Sequence, residues 1–383
     1  MIKTIKYKPV NWVDGMRLSS EQFVANDKYY QDKMRDAIST RLNGYNYGIL
    51  PCLDTNTRTF AVEITASAAQ MVDIRVRSCH AITADGCRIH IDAGPDGRGN
   101  VGVSYYFNEI SATGSNLYNV LLQVDPFERV PEGEINPDNE PARHPYVGPS
   151  YKILVVPETN LSSEHIESRS LTVGRFALEQ GSVVVNERYI PPCTSMMSHP
   201  LLIKYYELFS TTVHKLQSTS FSILDKTVND SSLTALARNL RMVTERILEY
   251  LAHHIFTFRY QLRQGTPLDF IGFFCHLSQT LFTGMRCIAT KEREDLLKYF
   301  YEWRDISPAS FEELLARVME MKYNHWDIYS AFALTEEFLV EITALWERLA
   351  ALEYIGQHKE NIVVAEQQQV QQMQTRKIWT LLD

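Results

Sequence analysis

The sequence predicts an α+β protein: an N-terminal antiparallel β-sandwich-like domain with one early helix, an antiparallel helical bundle, and a helical C-terminal region. Two observations carry this. Up to about residue 195, short segments rich in Val, Ile, Tyr and Thr alternate with Gly, Pro, Asn and Asp, the pattern of strands and their turns. Beyond it, apolar residues recur at steps of three and four, the helical period. The expected division is 1–195, 196–302 and 303–383.

Ser19–Arg41 opens the ordered elements. It has a serine start, an acidic first turn and little β-branching, so it reads as a surface helix. Eight strands are expected, at Arg58–Thr65, Asp73–Arg77, Arg88–Ile91, Val101–Phe107, Leu117–Val124, Tyr151–Val156, Thr172–Ala177 and Ser182–Asn186. Asp85-Gly86 is a hairpin turn signal between Ala81–Ala84 and Cys87–Ile91. Pro126–Pro149 is expected to be a loop, because six of the fifteen prolines fall there among acidic residues and proline cannot donate to a ladder. Ser198-His199-Pro200 opens a helix through about Val228, and Leu233–Arg263 continues the period. Gly265 is a stop. Thr266-Pro267-Leu268-Asp269 is a cap, a first-turn proline and an acidic N3. Ser307-Pro308 is a second cap-plus-proline start, and Thr335-Glu336-Glu337 is expected to begin a further helix. The Gln-rich end, residues 365–379, reads either as a coiled-coil tail or as a frayed helix.

The 383 residues are 45% hydrophobic and 22% charged, ample for a core, with a formal net charge of −8. That balance argues against nucleic acid or an anionic membrane as partner, since both need clustered positive charge. Six cysteines without CxxC spacing make neither a disulfide framework nor a zinc knuckle. The N-terminus has no apolar run suited to a signal peptide, and the most apolar helical stretch, near 265–290, carries Asp269, His276, Gln279 and Arg286. A reducing, cytoplasmic location without membrane insertion is expected.

Motifs with chemistry are scarce. Gly97-x-Gly99-x-x-Gly102 matches the dinucleotide fingerprint as a string, but a loop precedes it and a strand follows, where the fingerprint needs strand then helix. His253-His254 are adjacent on a helix and diverge. Cys79, His80, Cys87 and His90 flank one hairpin and are the first suspects for a metal. Acidic residues between 128 and 140 read as solvated charge. Phe256, Phe258 and Tyr260 read as bundle core or subunit interface. The expectation is therefore no enzymatic activity, no cofactor and no metal.

One segment goes further. Val10-Asn11-Trp12-x-x-Gly15-Met16-x-Leu18, then Phe23, resembles the opening of the TssK family of type VI secretion baseplate proteins. Tyr47-Gly48-Ile49, Asp85-Gly86 and Ser198-His199-Pro200 with Tyr205 follow in the family's order. The family's histidine before Phe23 is Gln22 here, and its β-containing C-terminal head is not recognisable, so the resemblance covers about residues 1–300. It implies a shoulder domain at 1–195 that docks on a wedge of TssF and TssG, a helical neck at 196–302, a homotrimer, and a link from the contractile-tail baseplate to a membrane-side anchor, without catalysis. The helical residues 303–383 then suggest an anchor of non-standard type.

Trp12, Gly15, Met16, Leu18 and Phe23 carry two readings: an intrachain cluster packed at the start of the helix, or the edge of a docking site for the wedge. Gly15 is either a turn residue after Asp14 or a site of close approach. A ligand- or carbohydrate-binding module, or a phage-tail-like adhesin, is the rival function; Tyr105, Tyr106, Tyr118, Tyr146 and Tyr151 are its supply of aromatic surface.

Overall fold

The computed structural model describes residues 4–51, 59–67, 71–92, 101–108, 116–138, 140–160, 169–179, 182–228 and 233–359. The protein is α+β, and among the described residues its strands form two antiparallel sheets. It divides into two compact units. The first comprises Met1–Lys204, Arg263–Leu268 and Tyr323–Ser330; the second comprises Tyr205–Leu262, Asp269–Lys322 and Ala331–Asp383.

The first unit begins with α1 (Ser20–Ser39). Its start is a capping box in which the backbone N–H of Ser19 donates to Gln22 Oε1 at 2.8 Å. Gln22 thus has a structural task at the position where the resembling family carries histidine. One sheet contains β1 (Gly48–Ile49), β2 (Phe60–Ser67), β3 (Met71–Ile82), β4 (Arg88–Asp92) and β5 (Val101–Tyr106), all arranged around β3. The other has the order β7-β6-β8-β9, with β6 (Leu117–Glu132), β7 (Tyr146–Pro157), β8 (Ser170–Glu179) and β9 (Ser182–Val185). Strict alternation on β4, with Ile89 and Ile91 inward and Arg88, His90 and Asp92 outward, is the mark of a half-buried sheet. Val72, Ile74, Val76, Val120, Leu122, Leu171 and Phe176 are buried with them. The Tyr105 hydroxyl reaches across to the Ile153 carbonyl oxygen at 3.0 Å.

The loop expected over Pro126–Pro149 is shorter than that. β6 and β7 stay paired across a bulge through Glu132↔Tyr146, including Pro131↔Val147 and Arg129↔Pro149. Beyond Gln123, β6 has lost its other neighbour β8. Among the described residues no further strand pairs with β6 over Arg129–Glu132 or with β7 over Tyr146–Pro149, and a proline is tolerated on such an edge because its missing N–H can face away from the ladder. Of the dinucleotide-like string, Gly97 and Gly99 lie outside the described residues, and Gly102 sits inside β5.

Helices follow: α2 (Pro200–Val228), α3 (Ala235–Phe256) running into a π-helical turn (Thr257–Leu262), α4 (Pro267–Arg286), α5 (Thr290–Arg304), α6 (Pro308–Met319) and α7 (Ile328–Ala351). Thr234 caps α3, accepting from the N–H of Ala237 at 3.1 Å, and Ser307 caps α6 likewise through Ser310. The π turn re-aims the aromatics at the end of α3. Phe258 is buried against Phe270, Phe273 and Phe274, while Phe256 and Tyr260 are each 65% exposed. Phe209, Phe270, Phe274 and Phe332 complete the aromatic centre of the second unit.

One helix has no start expected from the sequence and one boundary differs from the expectation. Helix α5 follows Ala289, an N-cap without a side-chain hydrogen bond. Helix α7 starts at Ile328, seven residues before Thr335. Thr335 is buried, and its hydroxyl donates back to the Ala331 carbonyl oxygen at 2.8 Å instead of capping. The Gln-rich end lies outside the described residues. Among the described residues, no strand follows β9 and no helix is long and apolar enough to cross a membrane.

Candidate functional site

Helix α1 is built inside out. Phe23, Tyr30, Met34 and Ile38 recur at steps of seven and four, and at 100° per residue they share an arc of about 80°. All four are exposed, Phe23 at 54% and Met34 at 59%. The opposite arc carries Asp32, Arg35 and Ser39, all buried. A surface helix ordinarily turns its apolar stripe to the core; here the polar stripe does the holding. The Asp32 carboxylate accepts from the N–H groups of Lys6 (2.5 Å) and Tyr7 (3.1 Å) and from Arg35 Nε (2.9 Å). Arg35 also donates to the carbonyl oxygen of Asp85 at 3.3 Å. Burial pushes the Asp32 carboxyl up, but the two backbone N–H groups and Arg35 outweigh it and hold the group below its ordinary value.

The sequence-predicted residues extend this face. Trp12 is 47% exposed and its ring centroid lies 6.1 Å from that of Phe23. Leu18 is exposed and Met16 half-buried. Trp12 and Phe23 thus pack on each other at the start of α1 while about half of each ring stays exposed. Gly15 has φ +78° and open space around its missing side chain, which makes it a turn residue. Gly48 differs. At φ +115°, a Cβ there would lie 2.0 Å from the Pro192 carbonyl oxygen. Beside α1 runs a groove walled by Met34 and Ile38 on one side and Pro126, Val147 and Pro149 of the ribbon on the other. Arg129 ties ribbon to helix through Asp27 at 3.2 Å. Val147 and Tyr146 are exposed as well. The periodicity of α1 was visible in the sequence; the buried Asp32–Arg35 pair that reverses its orientation was not singled out.

The metal suspects separate. Cys79 and Cys87 point into the core, and burial pushes both thiols up to about 12, which keeps them protonated and poor ligands. His80 and His90 are direct cross-strand partners on the outer face of β3 and β4, with stacked rings 4.4 Å apart. A two-residue Asp85-Gly86 loop would have paired Ala84 with Cys87 and placed these histidines on opposite faces. The observed loop spans residues 83–87, shifting the register by one. Asp92, two residues beyond His90 on the same face, lies 2.7 Å from His80 Nε2 and 3.3 Å from His90 Nε2.

The tyrosines of the rival carbohydrate reading do not gather. Tyr118 is buried, the Tyr105 and Tyr151 hydroxyls are spent on the backbone at Ile153 and His90, and only Tyr106 and Tyr146 are exposed.

No protein-family model matches the chain, nor does any curated protein. Solved structures do. A crystal structure of TssK superposes with a TM-score of 0.52 at 15% identity, over 88% of this chain and 72% of that one. TssK from the type VI secretion system of EAEC, in complex with a nanobody, gives 0.45 at 12% identity over 86% and 99%. The TssK-TssF-TssG baseplate subcomplex gives 0.43 at 13% over 88% and 99%. The first of these shows that the chain has a TssK-like fold.

Proposed function

We propose that the protein is a structural baseplate subunit of a type VI secretion, contractile-tail machine, linking a baseplate wedge to a membrane-side anchor. One observation carries the reading: on a TssK-like fold, α1 is pinned by buried Asp32 and Arg35 so that Phe23, Tyr30, Met34 and Ile38, with Trp12 and Leu18, face outward. An apolar surface of this kind, rimmed by Asp27, Lys28 and Arg129, suits a protein partner. The partner class is the wedge of TssF/TssG type, and Trp12, Gly15, Met16, Leu18 and Phe23 form its contact edge.

In this reading residues 1–195 act as shoulder, 196–302 as trimerising neck and 303–383 as the region toward an anchor of non-standard type. The protein is a homotrimer, acts at the cytoplasmic face of the inner membrane through partners, does not insert into the bilayer, binds no nucleic acid and is not an enzyme. Exposed Phe256 and Tyr260, 5.0 Å apart, supply apolar surface for the trimer.

The test is co-expression with wedge subunits of TssF/TssG type, followed by purification and mass measurement. A trimer that carries the wedge, and loses it on Phe23→Asp with Met34→Asp, is expected. A folded monomer, or a variant that retains the wedge at unchanged affinity, overturns the assignment.

A further inference from the structure

We propose that His80, His90 and Asp92 form a binding site for a divalent transition-metal ion of the zinc type, with at least one coordination position left for water. The proposal is independent of the baseplate reading. One ligand atom from each residue lies within 4.8 Å of the others. Ligands about 2.0–2.1 Å from a tetrahedral zinc stand about 3.3 Å apart. The carboxylate already sits 2.7 and 3.3 Å from the two Nε2 atoms, so small side-chain rotations admit the ion. Two imidazoles and one carboxylate match the donor set that holds such metals with open positions.

The scaffold is stiff where the ligands attach. His90 and Asp92 are alternate residues on one face of β4, and His80 is the residue opposite His90 on β3. The Tyr151 hydroxyl, from the other sheet, accepts from the His90 N–H and donates to the His90 carbonyl oxygen, both at 3.1 Å, which fixes the strand at a ligand position. A second observation points to the same place. Ser78 lies directly opposite Asp92 on the same face, and its hydroxyl is buried without a partner. A metal-bound water would satisfy it. Arg88 works against the cation, but it sits on the other side of the ring, 3.5 Å from His90 Nδ1, and its Nη1 is held by the carbonyl oxygens of Ala81 (2.9 Å) and Ile89 (2.5 Å).

The sequence expectation of no metal rests on absent motifs and scattered His and Cys residues, with Cys79, His80, Cys87 and His90 as the first suspects. The structure sends the cysteines inward and supplies Asp92 in their place.

The test uses the full chain, stripped with chelator, titrated with Zn²⁺ by calorimetry and with Co²⁺ by visible spectroscopy. One equivalent of Zn²⁺ is expected, with affinity reduced at least about tenfold in His90→Ala and in Asp92→Asn. Both side chains are half exposed or more, so both variants should keep the wild-type circular dichroism. Co²⁺ should give d–d bands without thiolate charge transfer. Absence of saturable binding, equal affinity in His90→Ala, or a thiolate band that disappears with the exposed Cys287→Ser overturns the site.

Discussion

The ring of His325 donates through Nε2 to the carbonyl oxygen of Tyr47 at 2.8 Å, across 278 residues of sequence. A carbonyl can only accept, so Nε2 carries the proton and Nδ1 is left to accept from the Tyr323 hydroxyl, also at 2.8 Å. Trp326 adds an indole N–H donated to the Tyr47 hydroxyl, and its carbonyl oxygen accepts from Arg175 at 3.0 Å. Tyr323–Ser330 is thus a structural part of the β unit, although it lies far into the helical half of the chain.

That arrangement makes stability pH-dependent. Burial lowers His325 to about 4, against its bond to Tyr47, and burial lowers His199 to about 4. Between about 4 and the ordinary value near 6.5, the unfolded chain binds protons that the folded chain refuses. Stability is therefore fully present above about pH 6.5 and is lost as pH falls toward 4. For His325 the window of about 2.5 units corresponds to about 3 kcal/mol. His358 acts with opposite sign: burial pulls it down, but Glu302 and Asp295 outweigh burial and raise it. Denaturant melts between pH 7 and 4.5 should show the loss, and His325→Gln should flatten the slope. An unchanged slope in the variant would remove His325 from the account.

Local signals made much of this fold legible. Ser307-Pro308 and Thr266-Pro267 marked helix starts because capping is a short-range event, and β4 betrayed itself by alternation. What escaped was set at long range. Nothing near Tyr323 or His325 announces a partner at Tyr47. The stripe on α1 could be read from spacing, but whether it faces in or out depends on Lys6, Tyr7 and Asp85 meeting Asp32 and Arg35. The shared face of His80 and His90 turned on a single residue of register at the Asp85-Gly86 turn.

Gly48 and Gly15 provide a matched pair. Both have positive φ, but only Gly48 meets backbone where a side chain would grow. Gly15→Ala should cost about 1 kcal/mol, the strain of a left-handed residue in open space. Gly48→Ala adds overpacking against Pro192 and should cost more than about 3 kcal/mol. Comparable melting temperatures for the two variants would show that the approach of Pro191–Cys193 to β1 is not tight.

Asp32→Ala should destabilise by about 3–5 kcal/mol, because it leaves Arg35 charged and buried without its carboxylate and frees the N–H groups of Lys6 and Tyr7. Replacing both Asp32 and Arg35 with apolar residues of similar size should recover much of that loss. Recovery is the informative arm: it distinguishes an uncompensated charge from a contact that α1 cannot do without.

Trp12 and Phe23 offer the sharpest separation of folding from docking. Were they core residues, truncation to alanine would cost about 3–5 kcal/mol. Their exposures of 47% and 54% instead leave mainly their contact with each other, and a ring pair of this kind is worth about 0.5–1.5 kcal/mol. Trp12→Ala and Phe23→Ala should therefore each lower stability by about 1 kcal/mol or less, with the double variant less than additive because both remove the same contact. Gln22→Ala is the internal control. It removes the acceptor of the Ser19 N–H and should cost up to about 1 kcal/mol of stability without touching the apolar face. If these residues serve the wedge, the two aromatic variants should lose partner binding while remaining folded, and the Gln22 variant should keep it. A loss of several kcal/mol in Trp12→Ala would mean that the side chain is covered within the chain itself, and the docking face would then have to be sought on Tyr30, Met34 and Ile38 alone.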